Sequence, residues 1–272
     1  MSELSQEQLA YIIQFQHPDK SWPGMDETMI AALFGADVTT YRSIRSGFEE
    51  RASQAATELL DDPDLAECVD KLPFSPGSTV VGLGDSITDD YQSWIEILRH
   101  LLTLRRPQDK ITIVNAGISG DTTSQIMSRF IDIVHFQPEW IICMAGTNDA
   151  RLHGQSPEKT LVSLEETAKN LKALRNFATT ETSARWIWMT PSPVIEAQIQ
   201  QDWFLAPFEV KWLNRDLAAV AEVVSHMPDP VVDLQRAFGH PANPNLLLSD
   251  GLHPSLAGQK LIVKTLLKQR LI

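Results

Sequence analysis

The stretch Ser78–Trp94, STVVGLGDSITDDYQSW, decides how the chain is read. Thr79 to Leu83 is a short apolar run rich in β-branched residues, bounded by serine and glycine, and it predicts a buried strand. Gly84-Asp85-Ser86 ends that run abruptly. Trp94, Ile97, Leu98, Leu101 and Leu102 then recur at three- and four-residue spacings and predict a helix over 92–104. A serine on the tight turn between such a strand and helix stands at the mouth of an open α/β sheet, where ligands bind. Its hydroxyl is placed where a nucleophile is useful. Helix N-caps and turns use serine in the same setting, so the residue alone decides nothing.

Downstream of this stretch, strand and helix patterns alternate. Strands are expected at 79–83, 111–115, 139–145, 185–190 and 230–234, and helices at 92–104, 122–134, 158–178, 208–225 and 255–269. That alternation predicts an α/β fold with a parallel, doubly wound sheet and helices on both faces. EWIICMA and RWIWMT are apolar at successive positions, as central parallel strands must be. Upstream, residues 1–75 read as all-helical. Ser5 and Gln8 have capping-box spacing ahead of Leu9, Ile12 and Ile13. His17, Pro18, Trp22, Pro23 and Gly24 break that helix. Further helices are expected from Asp26 to Phe34 with Gly35 as C-cap, from near Thr39 to Leu60, and from Pro63 to before Pro73. The expected organisation is a helical accessory front at 1–75 and an α/β domain at 76–272.

Charge supports the same division. The 272 residues carry a formal net charge of −12, which disfavours a nucleic-acid partner. Residues 1–75 hold 14 acidic and five basic side chains, so the front is strongly acidic and the body nearly neutral. AALFGADVTTYRSI, Ala31–Ile44, weakly matches a helix-turn-helix, but its acidic surroundings favour a cap or interaction module. Two cysteines, Cys68 and Cys143, offer no disulfide framework and no CxxC site. No apolar run approaches the roughly 18 residues of a membrane span, and the N-terminus lacks a signal-peptide pattern. A cytoplasmic location is therefore the expectation.

Polar groups suited to catalysis follow the strand ends. Asp85 and Ser86 follow the first strand, Asn115 to Thr122 the second, and Gly146 to Asp149 the third; Ser249 to Pro254 precedes the last helix. By the strand-end rule these scattered segments converge on one crevice. A serine hydroxyl needs a base to take its proton, and histidine is the natural base near neutrality. His253 sits in a polar turn three residues after Asp250, which can hold its Nδ1–H and leave Nε2 for Ser86. Candidate oxyanion donors are the Ser86 and Gly120 backbone N–H groups and the Asn148 side-chain amide.

Taken together, GDSIT, NAGISGDT, GTND and DGLHP resemble the four blocks of the SGNH (GDSL-type) esterase and lipase hydrolases, in order and at family-like spacing over about residues 78–272. The resemblance implies a three-layer α/β/α, flavodoxin-like fold with a five-stranded parallel sheet and no metal or other cofactor. It further implies Ser86 as nucleophile, His253 as base, Asp250 as its orienting acid, and Ser86, Gly120 and Asn148 as the oxyanion hole. The implied reaction is hydrolysis of a small-molecule carboxylic ester or thioester through an acyl-enzyme.

Acyl transfer uses the same residues and stays open. A metal site built from Asp85, Asp89, Asp90, Asp149 and His253 lacks a second histidine at ligand spacing. A non-enzymatic module that docks through its acidic front is the third alternative. Trp94, Trp203 and Leu252 are expected at a substrate wall, and Ile195–Phe208 with the front helices as a lid that narrows the crevice. Acyl preference and oligomeric state are not legible in the sequence.

Overall fold

In the computed structural model, which describes residues 4–22, 24–154 and 156–269, Thr79–Gly84 (β1) lies inside a five-stranded sheet. The strands that follow are Thr112–Gly117 (β2), Trp140–Met144 (β3), Leu152–His153 (β4), Ser156–Thr160 (β5), Arg185–Met189 (β6), Val210–Lys211 (β7) and Val231–Val232 (β8). The main sheet has the order β2-β1-β3-β6-β8, and every pairing in it is parallel. The expected α/β class and five-stranded parallel sheet are therefore present.

Period-two alternation sends each strand's side chains to opposite faces. Val80, Ile142, Met144, Ile187 and Met189 point into one buried cluster; Val81, Leu83, Ile141, Cys143 and Trp188 point into the other. Helices Trp94–Arg105, Leu234–Phe238 and Leu256–Lys268 contribute to the first cluster. Helices Thr123–Ser128, Phe130–His135, Leu164–Glu181 and Asn214–Ser225 line the second. Both faces are buried, which explains strands that are apolar throughout.

Three expected helices are corrected. The one at 122–134 breaks into two at Arg129, whose guanidinium turns inward to Asp121 at 2.7 Å. The one at 158–178 begins only at Leu164, where Ser163 caps it, and residues 156–160 form β5 instead. The one at 208–225 begins at Asn214, because Trp212 is buried and its Nε1–H donates to the Thr147 carbonyl at 2.9 Å. That anchor holds Val210–Lys211 as β7 against β4, completing a small antiparallel sheet of order β5-β4-β7. Two-residue strands leave no periodicity to read.

Among its described residues the front forms five helices: Gln6–Phe15 (α1), Pro18–Ser21 (α2), Glu27–Leu33 (α3), Val38–Leu60 (α4) and Pro63–Asp70 (α5). The Ser5–Gln8 capping box is formed. Ala31–Ile44 does fold as helix, turn and helix, with Gly35 at a φ of 70° in the turn. α4 then continues to Leu60 and buries Ala52, Ala55, Ala56 and Leu59 in the same cluster as β1. Ile13, Ile30, Ala31 and Tyr41 form a separate small cluster among α1, α3 and α4. Among the described residues no helix is long and apolar enough to cross a membrane.

Candidate active site

β1 has β2 on one side and β3 on the other, so the chain reverses its winding at the end of β1. A crevice opens at such a switch point. Gly84 closes the strand between Gly117 and Met144. A Cβ there would collide with the Met144 carbonyl and approach Thr88 Oγ1 to 2.5 Å, so only glycine fits. Asp85, fully buried, caps the next turn by accepting the Ile87 N–H at 3.1 Å. Ser86 is the first residue of that short helix and faces the crevice.

Ser86 Oγ lies 2.8 Å from His253 Nε2, although 167 residues separate them. His253 Nδ1 lies 2.6 Å from Asp250 Oδ2. The other Asp250 oxygen accepts the backbone N–H groups of Leu252 at 2.7 Å and His253 at 2.9 Å. This loop locks the carboxylate, so Nδ1 carries the proton and Nε2 faces Ser86 as an acceptor. Burial works against the Asp250 charge, but the facing His253 ring and the two backbone donors hold its carboxyl below the usual range. Burial also works against a charged His253; the carboxylates of Asp250, Asp90 and Asp85 outweigh it and raise the ring above its ordinary value. Asp85 and Asp90 are themselves pushed up by burial, to about 6 and about 7.

Gly120 and Asn148 line the same cavity of about 130 Å³ as Ser86 and His253. Gly120 has a φ of 86°, a turn conformation glycine adopts without strain. Asn148 Nδ2 donates to the Asp121 carbonyl at 3.1 Å, which fixes the amide beside the loop carrying Gly120. Asp149, next to it, turns away: Thr123 Oγ1 at 2.5 Å, Thr123 N–H and Thr167 Oγ1 at 2.9 Å occupy its oxygens.

The five residues of the alternative metal reading do not meet as a ligand set. Asp89 accepts from His17 at 2.6 Å, Lys20 at 2.5 Å and the Ser119 N–H at 2.9 Å. Asp90 accepts from Gln14 at 3.0 Å and from the Gln92 N–H at 2.9 Å. Among the described residues no group of three or more His, Cys, Asp and Glu side chains is arranged to hold a metal ion.

Of the expected substrate wall, Leu252 lines the cavity. Trp203 stands behind it, half-exposed, its ring edge-on to Tyr11 at 5.7 Å and to Phe204 at 5.5 Å. Trp94 is a correction: it is fully buried in the core under β1, with Nε1–H donating to Thr88 Oγ1 at 3.2 Å, and does not line the cavity. An aromatic at helical spacing is pulled into the core by the area it buries.

The sequence expectation of front helices at the crevice named no residue of α1. Tyr11 Oη donates to Asp250 Oδ2 at 2.8 Å, the oxygen that also receives His253 Nδ1. Phe15 stacks on the His253 ring with centroids 4.2 Å apart, and its carbonyl accepts from Ser119 Oγ. The available signal was two aromatics at positions i and i+4, which share one face of a helix. Below them, His17 and Lys20 tie the α2 segment to Asp89 and hence to the loop of Ser119 and Gly120.

Residues 83–261 match the model of the GDSL-like lipase/acylhydrolase family. The chain is 33% identical over 96 residues to the thioesterase 1/protease 1/lysophospholipase L1 of Escherichia coli (strain K12), a match covering 35% of this chain and 46% of that protein. It thus spans about half the length of that relative. It is 25% identical over 222 residues to the acetylxylan esterase of Geobacillus stearothermophilus, covering 73% of this chain and 96% of the esterase. A solved structure of an acetyl-xylooligosaccharide esterase variant from Geobacillus superposes with a TM-score of 0.56 at 25% identity, over 72% of this chain and 95% of the other. An α/β hydrolase from the metagenome of Lake Arreo gives 0.53 at 26% identity, over 71% and 95%. The match over most of the sheet and all four motif blocks identifies the chain as a member of the GDSL-like lipase/acylhydrolase family.

Proposed function

We propose that the chain is a carboxylic ester hydrolase that works through an acyl-enzyme on Ser86. The observation that carries this reading is the unbroken line from Ser86 Oγ through His253 to Asp250, ending in a cavity that Gly120 and Asn148 share. In this mechanism His253 takes the Ser86 proton as Oγ attacks the ester carbonyl. The tetrahedral oxyanion rests on the Ser86 and Gly120 N–H groups and the Asn148 amide. His253 then protonates the departing alcohol, and water repeats the sequence on the acyl-enzyme. Asp250 keeps the ring in the competent tautomer. Tyr11 is a positioning residue, holding the Asp250 oxygen that holds His253.

A cavity of about 130 Å³ roofed by Phe15 and Tyr11 favours a short acyl group. The acetyl esters named for the Geobacillus relatives fit that size. α1 and the segment around Phe204 act as the wall that narrows the crevice, and residues 1–75 serve as an accessory cap to the hydrolase domain. The test is hydrolysis of p-nitrophenyl esters from acetate to palmitate, wild type beside Ser86→Ala, with and without chelator. Turnover that depends on Ser86, ignores chelator and declines with chain length is expected. Full turnover by Ser86→Ala would overturn the reading.

A further inference from the structure

Arg151 follows Asn148 by three residues in the turn after β3. Its N–H donates to the Asn148 carbonyl at 3.2 Å, which folds the turn back. Its side chain lines the same cavity as Ser86, Gly120, Asn148 and His253. A guanidinium stays charged at every relevant pH, and removing it from water is costly unless an anion faces it. The other inward-turned arginines each have that anion: Arg129 has Asp121 at 2.7 Å, Arg106 has Asp109 at 2.6 Å, and Arg175 has Asp229 at 2.5 Å.

Arg151 has none. Among the described residues no carboxylate pairs with it, and its Nε is buried without a hydrogen-bond partner. The nearest acid in sequence, Asp149, is spent on Thr123 and Thr167. Asp202 accepts the N–H groups of Phe204 and Leu205 on one oxygen, both at 2.9 Å, and forms no ion pair with Arg151 among the described residues. Burial pulls the Arg151 guanidinium below its usual range, whereas Asp229 lifts Arg175 above it. What orients Arg151 is the Trp212 ring, 5.9 Å from Cζ, and that indole is itself pinned to the Thr147 carbonyl. The result is a cation oriented in the cavity of Ser86, with its buried Nε unspent.

The geometry points to an anion subsite: Arg151 receives a carboxylate or phosphate carried by the ester that Ser86 attacks. This rests on the ester hydrolase reading and narrows its substrate class to anionic esters. A guanidinium fork matches either group with two parallel hydrogen bonds. The chain's net charge of −12 repels anions in general, so a cation in the cavity that Ser86 lines supplies the local attraction.

The test separates binding from turnover. Ser86→Ala leaves ligands intact, and calorimetry on that variant compares 4-acetoxybenzoate, 4-acetoxyphenyl phosphate and the neutral 4-acetoxybenzamide. At least one anion is expected to bind about 10- to 100-fold tighter than the amide, the scale of a charge-assisted hydrogen bond. The tighter of the two identifies the group. Adding Arg151→Gln should level the three affinities, and Arg151→Lys should restore part of the preference. Equal affinities with Arg151 present overturn the subsite, as does an equal loss for all three ligands on Arg151→Gln. Hydrolysis of the same esters by the chain with Ser86 intact is the separate test of the reaction.

Discussion

The front helices and the α/β body meet at one site but differ in how they reach it. The body, matched to its family over residues 83–261, brings Ser86, Gly120, Asn148 and His253 together because each follows a strand end or precedes the last helix. Topology alone makes those loops converge. The front lies outside that match, yet α1 lays Tyr11 on Asp250 and Phe15 on His253. The body supplies the residues proposed to carry out the chemistry. The front supplies the roof and one further hydrogen bond to Asp250.

Ways to break that contrast run from the body outward. Ser86→Ala should lower kcat by about 10⁴- to 10⁶-fold in an ester assay, because it removes the proposed nucleophile. Asn148→Ala should lower kcat by about 10²- to 10³-fold with a smaller change in KM, the mark of one donor to the oxyanion.

The front should act more gently. Tyr11→Phe keeps the ring packing and removes one hydrogen bond, so a loss in kcat/KM of about three- to tenfold is expected. Its diagnostic readout is the pH profile. Only neutral His253 can accept the serine proton, and its raised value means it stays protonated, and idle, to higher pH. The wild-type acid limb of kcat/KM should therefore have its midpoint above the ordinary imidazole value of about 6.5. Asp85 and Asp90, ionising near 6 and 7, add their charges as pH climbs through that range and reinforce the rise. Burial and Asp250 push the Tyr11 phenol up, so it remains a donor throughout. Without it, Asp250 presents more charge to Nδ1–H, and the Tyr11→Phe limb should move further up. An unmoved limb would reduce Tyr11 to packing. The smallest effect is expected from Phe15→Ala, which opens the roof: the acetate-to-octanoate ratio of kcat/KM should fall a few-fold.

Much of the body was legible in sequence because its signals are local. β1, β3 and β6 are apolar runs with sharp ends, and the Asp250–His253 pair sits in one turn. Four of the front helices were legible too, through signals such as the Ser5 capping box, Gly35 and Pro63, whereas the one-turn α2 lies where only a break was expected. What escaped depends on distant partners. Tyr11 and Asp250 are 239 residues apart, and on α1 alone Tyr11 is one more large residue of an amphipathic helix. β7 exists because Trp212 is pinned to Thr147, which a two-residue strand cannot announce. Trp94 misled for the converse reason: its place after the nucleophile turn suggested a pocket, while its size and helical register put it in the core.

The central claim is that Ser86 is the atom donor to the acyl-enzyme. A fluorophosphonate places phosphorus where the acyl carbon would sit, and its adduct does not turn over. Peptide mass mapping after titration of ester hydrolysis tests the claim directly. The account predicts one adduct per chain, on the peptide containing Ser86, with activity lost in proportion. Inactivation with the adduct on another residue, or full activity with Ser86 labelled, would contradict it.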